Sequence, residues 1–300
     1  MHRLARRAAR AFCLVPLMAA AHPASAQRPE RDQAAHVRYL ALNVAIGTTA
    51  SLARAVVAGT HVRTALAKGL LGGSLMSTGM ELIGTESPST RFAGLQLTAI
   101  GASVTRNADN RAPLLSDVTL PIYPLYVRVR PGTATPITAR LSVVSTARLA
   151  SLLSGGRKPS LDWSATMATG APVLRSPRWR LPSTSCPPPC EGSFAQHNAG
   201  VIVYSASAGT DYDLRRTLAH ESLHLAQQTR DALLDAIPAS DGALGRLGTG
   251  GRSISRLFVL DFLMPLRFVD EGEVMIRGAP RRNSWYETEA RAFAPGGALH

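Results

Sequence analysis

Three residues in the stretch RRTLAHESLHLAQQTRD, residues 215 to 231, have the types and spacing to do chemistry: His220, Glu221 and His224. On a helix, positions i and i+4 lie one above the other on the same face. Two imidazoles at that spacing can reach one cation, and a carboxylate directly after the first can exchange a proton with a water held there. Such a pair asks three things of the rest of the chain: a helix to carry it, a third ligand, and one position left open to water.

The helix is predicted from its own neighbourhood. Thr210 and Asp213 in GTDYDLRR offer a capping-box-like start, and no glycine or proline interrupts Leu214 to Ala236. Leu214, Leu218, Leu225 and Ala232 supply apolar packing positions. Arg215, Arg216, Gln227, Gln228 and Arg230 make the segment too polar for a membrane-embedded helix. Where a metzincin would place a glycine and a third histidine, three and six residues after His224, the chain has Gln227 and Arg230. GTDYD is similar to a piece of the aspzincin signature, but it precedes the histidines instead of following them, and is read as a helix cap.

The third ligand must therefore come from further along, and SWYETEARAFA, residues 284 to 294, supplies glutamates on a second predicted helix. H-E-x-x-H followed by E-x-x-A resembles the gluzincin branch of zinc metallopeptidases, over roughly residues 200 to 295. The resemblance implies a His-His-Glu zinc site with His220 and His224 as ligands, Glu221 as general base and Glu287 as third ligand. Glu289 also begins an E-x-x-A and is the alternative third ligand; residues two apart on a helix point in different directions, so one of the two binds. Arg291 stands where many relatives carry Asp or Asn, which leaves the hydrogen-bond partner of a ligand histidine unassigned. The implied reaction is hydrolysis of a peptide or protein substrate. Zinc brings the pKa of a water towards neutrality, and Glu221 takes its proton and passes it to the leaving amine. Tyr204, Tyr286 and His197 remain open as electrophilic partners of the carbonyl oxygen. By the same resemblance, GVIVYS, residues 200 to 205, is an edge strand able to pair with an extended peptide.

The beginning of the chain sets the compartment. Residues 1–26 carry a basic start (Arg3, Arg6, Arg7, Arg10), a short apolar run and small residues at Ala24 and Ala26, the pattern of a signal peptide. The expected location is the periplasm, the outer membrane or the exterior. Of 33 basic residues, against 20 acidic, only Lys68 and Lys158 are lysines. No basic run is interleaved with aromatics, so no nucleic-acid partner is expected. Beyond the leader, Cys186 and Cys190 in STSCPPPCEG are the two cysteines, and an oxidising compartment makes them disulfide candidates.

The elements that must position the site divide by composition. Residues 27–112 are Ala- and Gly-rich and predict three helices, the second bearing Gly69 and Gly73 at G-x-x-x-G spacing. Arg54, Lys68 and Glu81 break the apolar runs before they reach the roughly 18 residues of a bilayer span. That favours a tightly packed helical layer, with association at a membrane surface through residues 37–105 left open. Residues 113–300 predict a central antiparallel β region followed by the site helices. In that region LYVRVR alternates, with Val127 and Val129 opposite Arg128 and Arg130, and LDWSATMATG alternates through Leu161, Trp163, Ala165 and Met167. The fold class expected is α+β. The function expected is that of an exported zinc metallohydrolase, the alternative being a periplasmic or membrane-associated scaffold or binding protein with a structural or vestigial zinc site.

Overall fold

The computed structural model describes residues 33–85, 87–109, 113–154, 159–177, 195–205, 211–234, 258–259 and 285–294. The candidate disulfide, the signal-like leader and the acidic stretch VDEGEV at residues 269–274 lie outside these residues. The described chain is α+β, with seven α-helices and two small sheets.

Three long helices come first: α1 (Gln33–Ala58), α2 (Val62–Ile83) and α3 (Pro88–Arg106). They match the three predicted segments because every interruption of their apolar runs is short of a break, and Pro88 opens α3 at a position where its missing N–H costs nothing. Glycine brings their backbones together. A Cβ at Gly73 would fall 2.6 Å from the Cα of Val44 on α1, and one at Gly101 would fall 2.5 Å from the carbonyl oxygen of Gly72 on α2. No helix among the described residues is long and apolar enough to cross a membrane.

The first sheet runs in the order β1 (Val118–Ile122), β2 (Leu125–Val129), β3 (Ile137–Ser142), β8 (Phe258–Val259). β1, β2 and β3 are antiparallel, whereas β8 joins β3 in parallel. In β2 Tyr126 is buried, whereas Val127, Arg128 and Val129 are all half-buried. Asp117 receives two arginines: Arg128 Nε donates to it at 2.8 Å and Arg106 Nη2 at 3.0 Å. Burial opposes the charge on Asp117, yet Arg128 and Arg106 outweigh it and hold the carboxyl below its usual range. This triad fastens the sheet to the end of α3.

The second sheet is mixed, with order β4 (Ser160–Leu161), β5 (Val173–Ser176), β7 (Val201–Ser205), β6 (Ala195–Asn198). β5 and β7 are parallel; the other two pairs are antiparallel. One face packs Val173, Ile202 and Tyr204 against Ala165 and against Leu218 and Leu214 of α6 (Asp211–Leu234). The other packs Leu174, Val201 and Val203 against Leu149 and Leu152 of α4 (Val143–Ser154). A strand covered on both sides reads as an unbroken apolar run, which is why GVIVYS does not alternate. Two expectations are corrected here. β7 is an interior strand, and the edge beside it is β6. Of LDWSATMATG only Leu161, the end of β4, is strand; the stretch continues as helix α5 (Trp163–Thr169). Asp162 caps that helix by accepting from the amide of Ala165 at 2.9 Å, and Gly170 at φ +72° ends it. Cap chemistry at both ends overrides the period-two pattern, and leaves Trp163 and Met167 exposed.

Every residue of α6 from Thr217 to Arg230 is buried. One core joins it to both sides of the composition boundary: Met76, Met80, Ile83 and Leu95 from the helical layer, Tyr123 and Tyr126 from the first sheet, Leu223 and Leu225 from α6, and Phe293 from α7 (Trp285–Phe293). A helix buried all round must satisfy its polar side chains internally.

Candidate metal centre

His220 and His224 project from the middle of α6, one turn apart, with ring centroids 4.9 Å apart and ring planes nearly perpendicular. Both Nε2 atoms face Glu287 in the first turn of α7. His220 Nε2 lies 3.3 Å from Glu287 Oε2, and His224 Nε2 lies 3.2 Å from Glu287 Oε1. The three donor atoms all fall within 4.8 Å of one another. Both histidines are buried, and the Glu287 side chain is 23% exposed, so solvent reaches the group from one side.

This donor set could hold a divalent cation such as zinc. Tetrahedral ligands at about 2.0–2.1 Å from a common centre are separated by about 3.3–3.4 Å, close to the spacing between the carboxylate and the imidazoles. The carboxyl is also prepared to be an anion. Burial would raise the Glu287 pKa, but the hydrogen bonds and charges of His220 and His224 outweigh it and hold the group well below the usual carboxylate range.

Glu289 serves elsewhere. It is fully buried and accepts from Asn43 Nδ2 at 2.8 Å, Gln227 Nε2 at 3.0 Å and Arg230 Nη1 at 2.8 Å. The helix that aims Glu287 at the histidines aims Glu289 into a polar pocket between α6 and α1.

Glu221 lies beside the histidines, 8% exposed, and its Oε2 accepts the backbone N–H of His197 at 2.5 Å. The edge strand β6 thus sits directly over the site helix. The His197 ring stacks on that of His224 at 6.3 Å between centroids, with its Nε2 accepting the amide of Gly200 at 3.1 Å. Since that lone pair is spent on the turn, His197 Nε2 is no fourth ligand. The phenols named from sequence are also committed. Tyr204 donates to Asp162 Oδ2 at 2.8 Å, and burial together with that carboxylate pushes its pKa up to about 12. Tyr286 donates to Asp231 Oδ2 at 2.7 Å.

No protein-family model, curated protein or solved structure matches this chain.

Sequence reasoning missed Gln227, Arg230 and Asn43, which hold the site from behind. His224 Nδ1 is 2.8 Å from Gln227 Oε1, and Gln227 Nε2 donates to the carbonyl of Tyr286 at 2.9 Å as well as to Glu289. Arg230 also donates to Asn43 Oδ1 at 2.8 Å and lies 5.0 Å from the centre of the Trp285 ring. One signal was available: Asn43 is a lone amide in the apolar run LALNVAIG, and a polar side chain there requires a buried partner. Arg291, found where many relatives carry Asp or Asn, lies 3.8 Å from Glu287. His220 Nδ1 meets no hydrogen-bond partner among the described residues.

Proposed function

We propose that this chain is an exported zinc-dependent metallohydrolase acting on peptide bonds. The observation that carries the reading is the convergence of His220 Nε2, His224 Nε2 and the Glu287 carboxylate, with Glu221 one residue from the first ligand on the same helix. Bound there, zinc would acidify a water and polarise the substrate carbonyl. Glu221 acts as general base and then general acid. The His197 amide occupies its Oε2, which assigns Oε1 to receive the proton from water and return it to the leaving amine. Gln227 and Glu289 keep the ligand helices in register. Export is supported by the signal-like first 26 residues.

The buried, hydrogen-bonded state of Glu221 favours a second reading, a scaffold or binding protein whose zinc is structural or vestigial. One experiment separates them: zinc content and casein hydrolysis for the wild type and Glu221→Gln. The metallohydrolase reading expects one zinc per chain in both forms, with hydrolysis falling at least about 100-fold in the variant. Stoichiometric zinc without hydrolysis in either form selects the scaffold reading. Absence of stoichiometric zinc from the wild type defeats both.

A further inference from the structure

We infer that Gln227 is a positioning residue that fixes the tautomer of His224, and that the buried Glu289–Arg230–Asn43 cluster fixes Gln227 in turn. The inference rests on the reading of His224 as a zinc ligand and adds the device that presents its lone pair.

The argument is one of donors and acceptors. Gln227 is fully buried, and its amide group has three partners. Two of them, the Tyr286 carbonyl and the Glu289 carboxylate, are pure acceptors and must face the amide N–H groups. The remaining atom, Oε1, is then held against His224 Nδ1 and can only accept. His224 must therefore carry a proton on Nδ1, so Nε2, which faces Glu287 Oε1 at 3.2 Å, is the nitrogen left to present a lone pair once a cation takes the place of the proton it shares with that carboxylate. Flipping the amide would set its oxygen against two acceptors and its N–H groups against a single ring nitrogen, so the network excludes that arrangement.

Glu289 is locked by the same reasoning. Its Oε1 accepts from Asn43 Nδ2 and Arg230 Nη1, and its Oε2 from Gln227, so the carboxylate has no freedom to rotate. Asn43 Oδ1 accepts from Arg230, and Asn43 Nδ2 also donates to the Tyr39 carbonyl within α1. The chain of contacts therefore starts on a helix of the N-terminal layer and ends at a ligand nitrogen. This gives that layer a part in the site: it supplies the fixed end of the hydrogen-bond chain. Partners of ligand histidines commonly change metal affinity by about 10–100-fold when removed.

The test measures zinc affinity of the full chain by chelator competition, with thermal unfolding alongside. Gln227→Leu is expected to bind zinc about 10–100-fold more weakly than the wild type. The paired exchange Gln227→Glu with Glu289→Gln returns an acceptor to His224 and reverses the bond between positions 227 and 289, while the Tyr286 carbonyl loses its donor, and should recover part of the loss. A residue with a merely structural part would lower the melting temperature and leave the affinity of the folded protein unchanged. Wild-type affinity in folded Gln227→Leu, or an exchange variant that is folded but no tighter than Gln227→Leu, overturns the proposal. Should the variants not fold, long-range nitrogen–proton spectra of histidine-labelled wild type decide: a proton on His224 Nδ1, with or without one on Nε2, supports the proposal, and a bare Nδ1 with the proton on Nε2 alone overturns it. Those spectra can be recorded without zinc, so failure of the wild type to bind metal, which defeats the underlying reading, is distinguished from a wrong tautomer.

Discussion

The N-terminal helical layer and the helices of the candidate metal centre are packed by opposite means. α1, α2 and α3 meet through glycine, at distances where a single methyl group would strike a neighbouring backbone. α6 and α7 meet each other and α1 through buried amides, an arginine and a carboxylate. Close backbone packing is tolerant of sequence wherever the residue is small, and it fixes distance without fixing orientation. A hydrogen-bond network fixes the orientation of each group, which a ligand set requires, but removal of one member leaves the others buried and unsatisfied. The two regions should therefore fail differently.

The largest effect is expected in the polar region. Arg230 and Glu289 are both fully buried and 2.8 Å apart, and Arg230 remains a cation because the Glu289 and Asp231 carboxylates outweigh the burial that would lower its pKa. Arg230→Met should destabilise the metal-free protein by about 3–5 kcal/mol, since Glu289 is left as an uncompensated buried charge. Adding Glu289→Leu should recover much of that loss, because a buried pair replaced by apolar side chains is often nearly neutral. Two residues away, Glu287→Ala should abolish zinc binding yet cost the metal-free protein less than Arg230→Met, about 1–3 kcal/mol, since the carboxylate is partly exposed while the two imidazoles that lose it are buried. Urea unfolding of the three variants with chelator present measures the contrast; equal losses at Glu287 and at Arg230 would erase it.

In the helical layer, Gly73→Val is expected to cost about 1–3 kcal/mol or more, because the obstacle is the Val44 backbone, which cannot rotate away. Leu70 lies on the exposed side of the same helix, so Leu70→Ala should change stability by less than about 0.5 kcal/mol. Zinc affinity should be unchanged in folded Leu70→Ala. A Gly73→Val protein as stable as the wild type would mean that the layer is looser than its backbone distances imply.

The same contrast governs what could be read from the sequence. The three long helices were legible because small and apolar residues recur without breaks, and the placing of His220 and His224 on one helix face beside Glu221 was legible because their spacing carries a chemical requirement. Glu287 and Glu289 could not be ranked by motif, since each begins an E-x-x-A. What separates them is the donor set facing each one, and Asn43 and Gln227 are 184 residues apart in sequence (227 − 43). A network closed across that separation leaves only weak local traces. The helix at Trp163–Thr169 was misread as a strand because period-two alternation was weighed above the aspartate and glycine that cap it. The β7 edge assignment failed for a different reason: strand order is a tertiary property, and an apolar run fits an interior strand better than an edge.

Asp117 tests whether charge also fixes orientation away from the metal centre. Its carboxyl is held below the usual range by Arg128 and Arg106 against the opposing effect of burial. A depressed folded-state pKa adds stability at pH values above the unfolded pKa of about 3.9, and that contribution is lost as pH falls through the folded value. Asp117→Asn should therefore be less stable than the wild type near neutrality, by on the order of 1 kcal/mol, and the gap should close below about pH 4. Unfolding followed from pH 6 to pH 2 measures it; a gap independent of pH would assign the loss to packing.

The smallest effect lies where the two kinds of packing meet, at the β6–β7 turn. Ala199 has φ +53° and Gly200 φ +78°, and a Cβ at Gly200 would strike Ser145 Oγ and the Tyr123 ring at 2.5 Å. Gly200 is thus required for space as well as for conformation. Ala199 pays the left-handed penalty, about 1–2 kcal/mol, with no such excuse of space. Ala199→Gly relieves it but restores about 0.5–1 kcal/mol of backbone freedom to the unfolded chain, so a net gain of roughly 0.5–1 kcal/mol is expected. The turn also holds His197 Nε2 through the Gly200 amide, and the His197 amide holds Glu221. If shape alone sets this turn, Ala199→Gly should raise stability and leave hydrolysis by the zinc-loaded protein unchanged. A gain in stability accompanied by a fall in hydrolysis would instead show that the strained alanine keeps β6 in register over Glu221, and would extend orientation control from the buried amides to the edge strand.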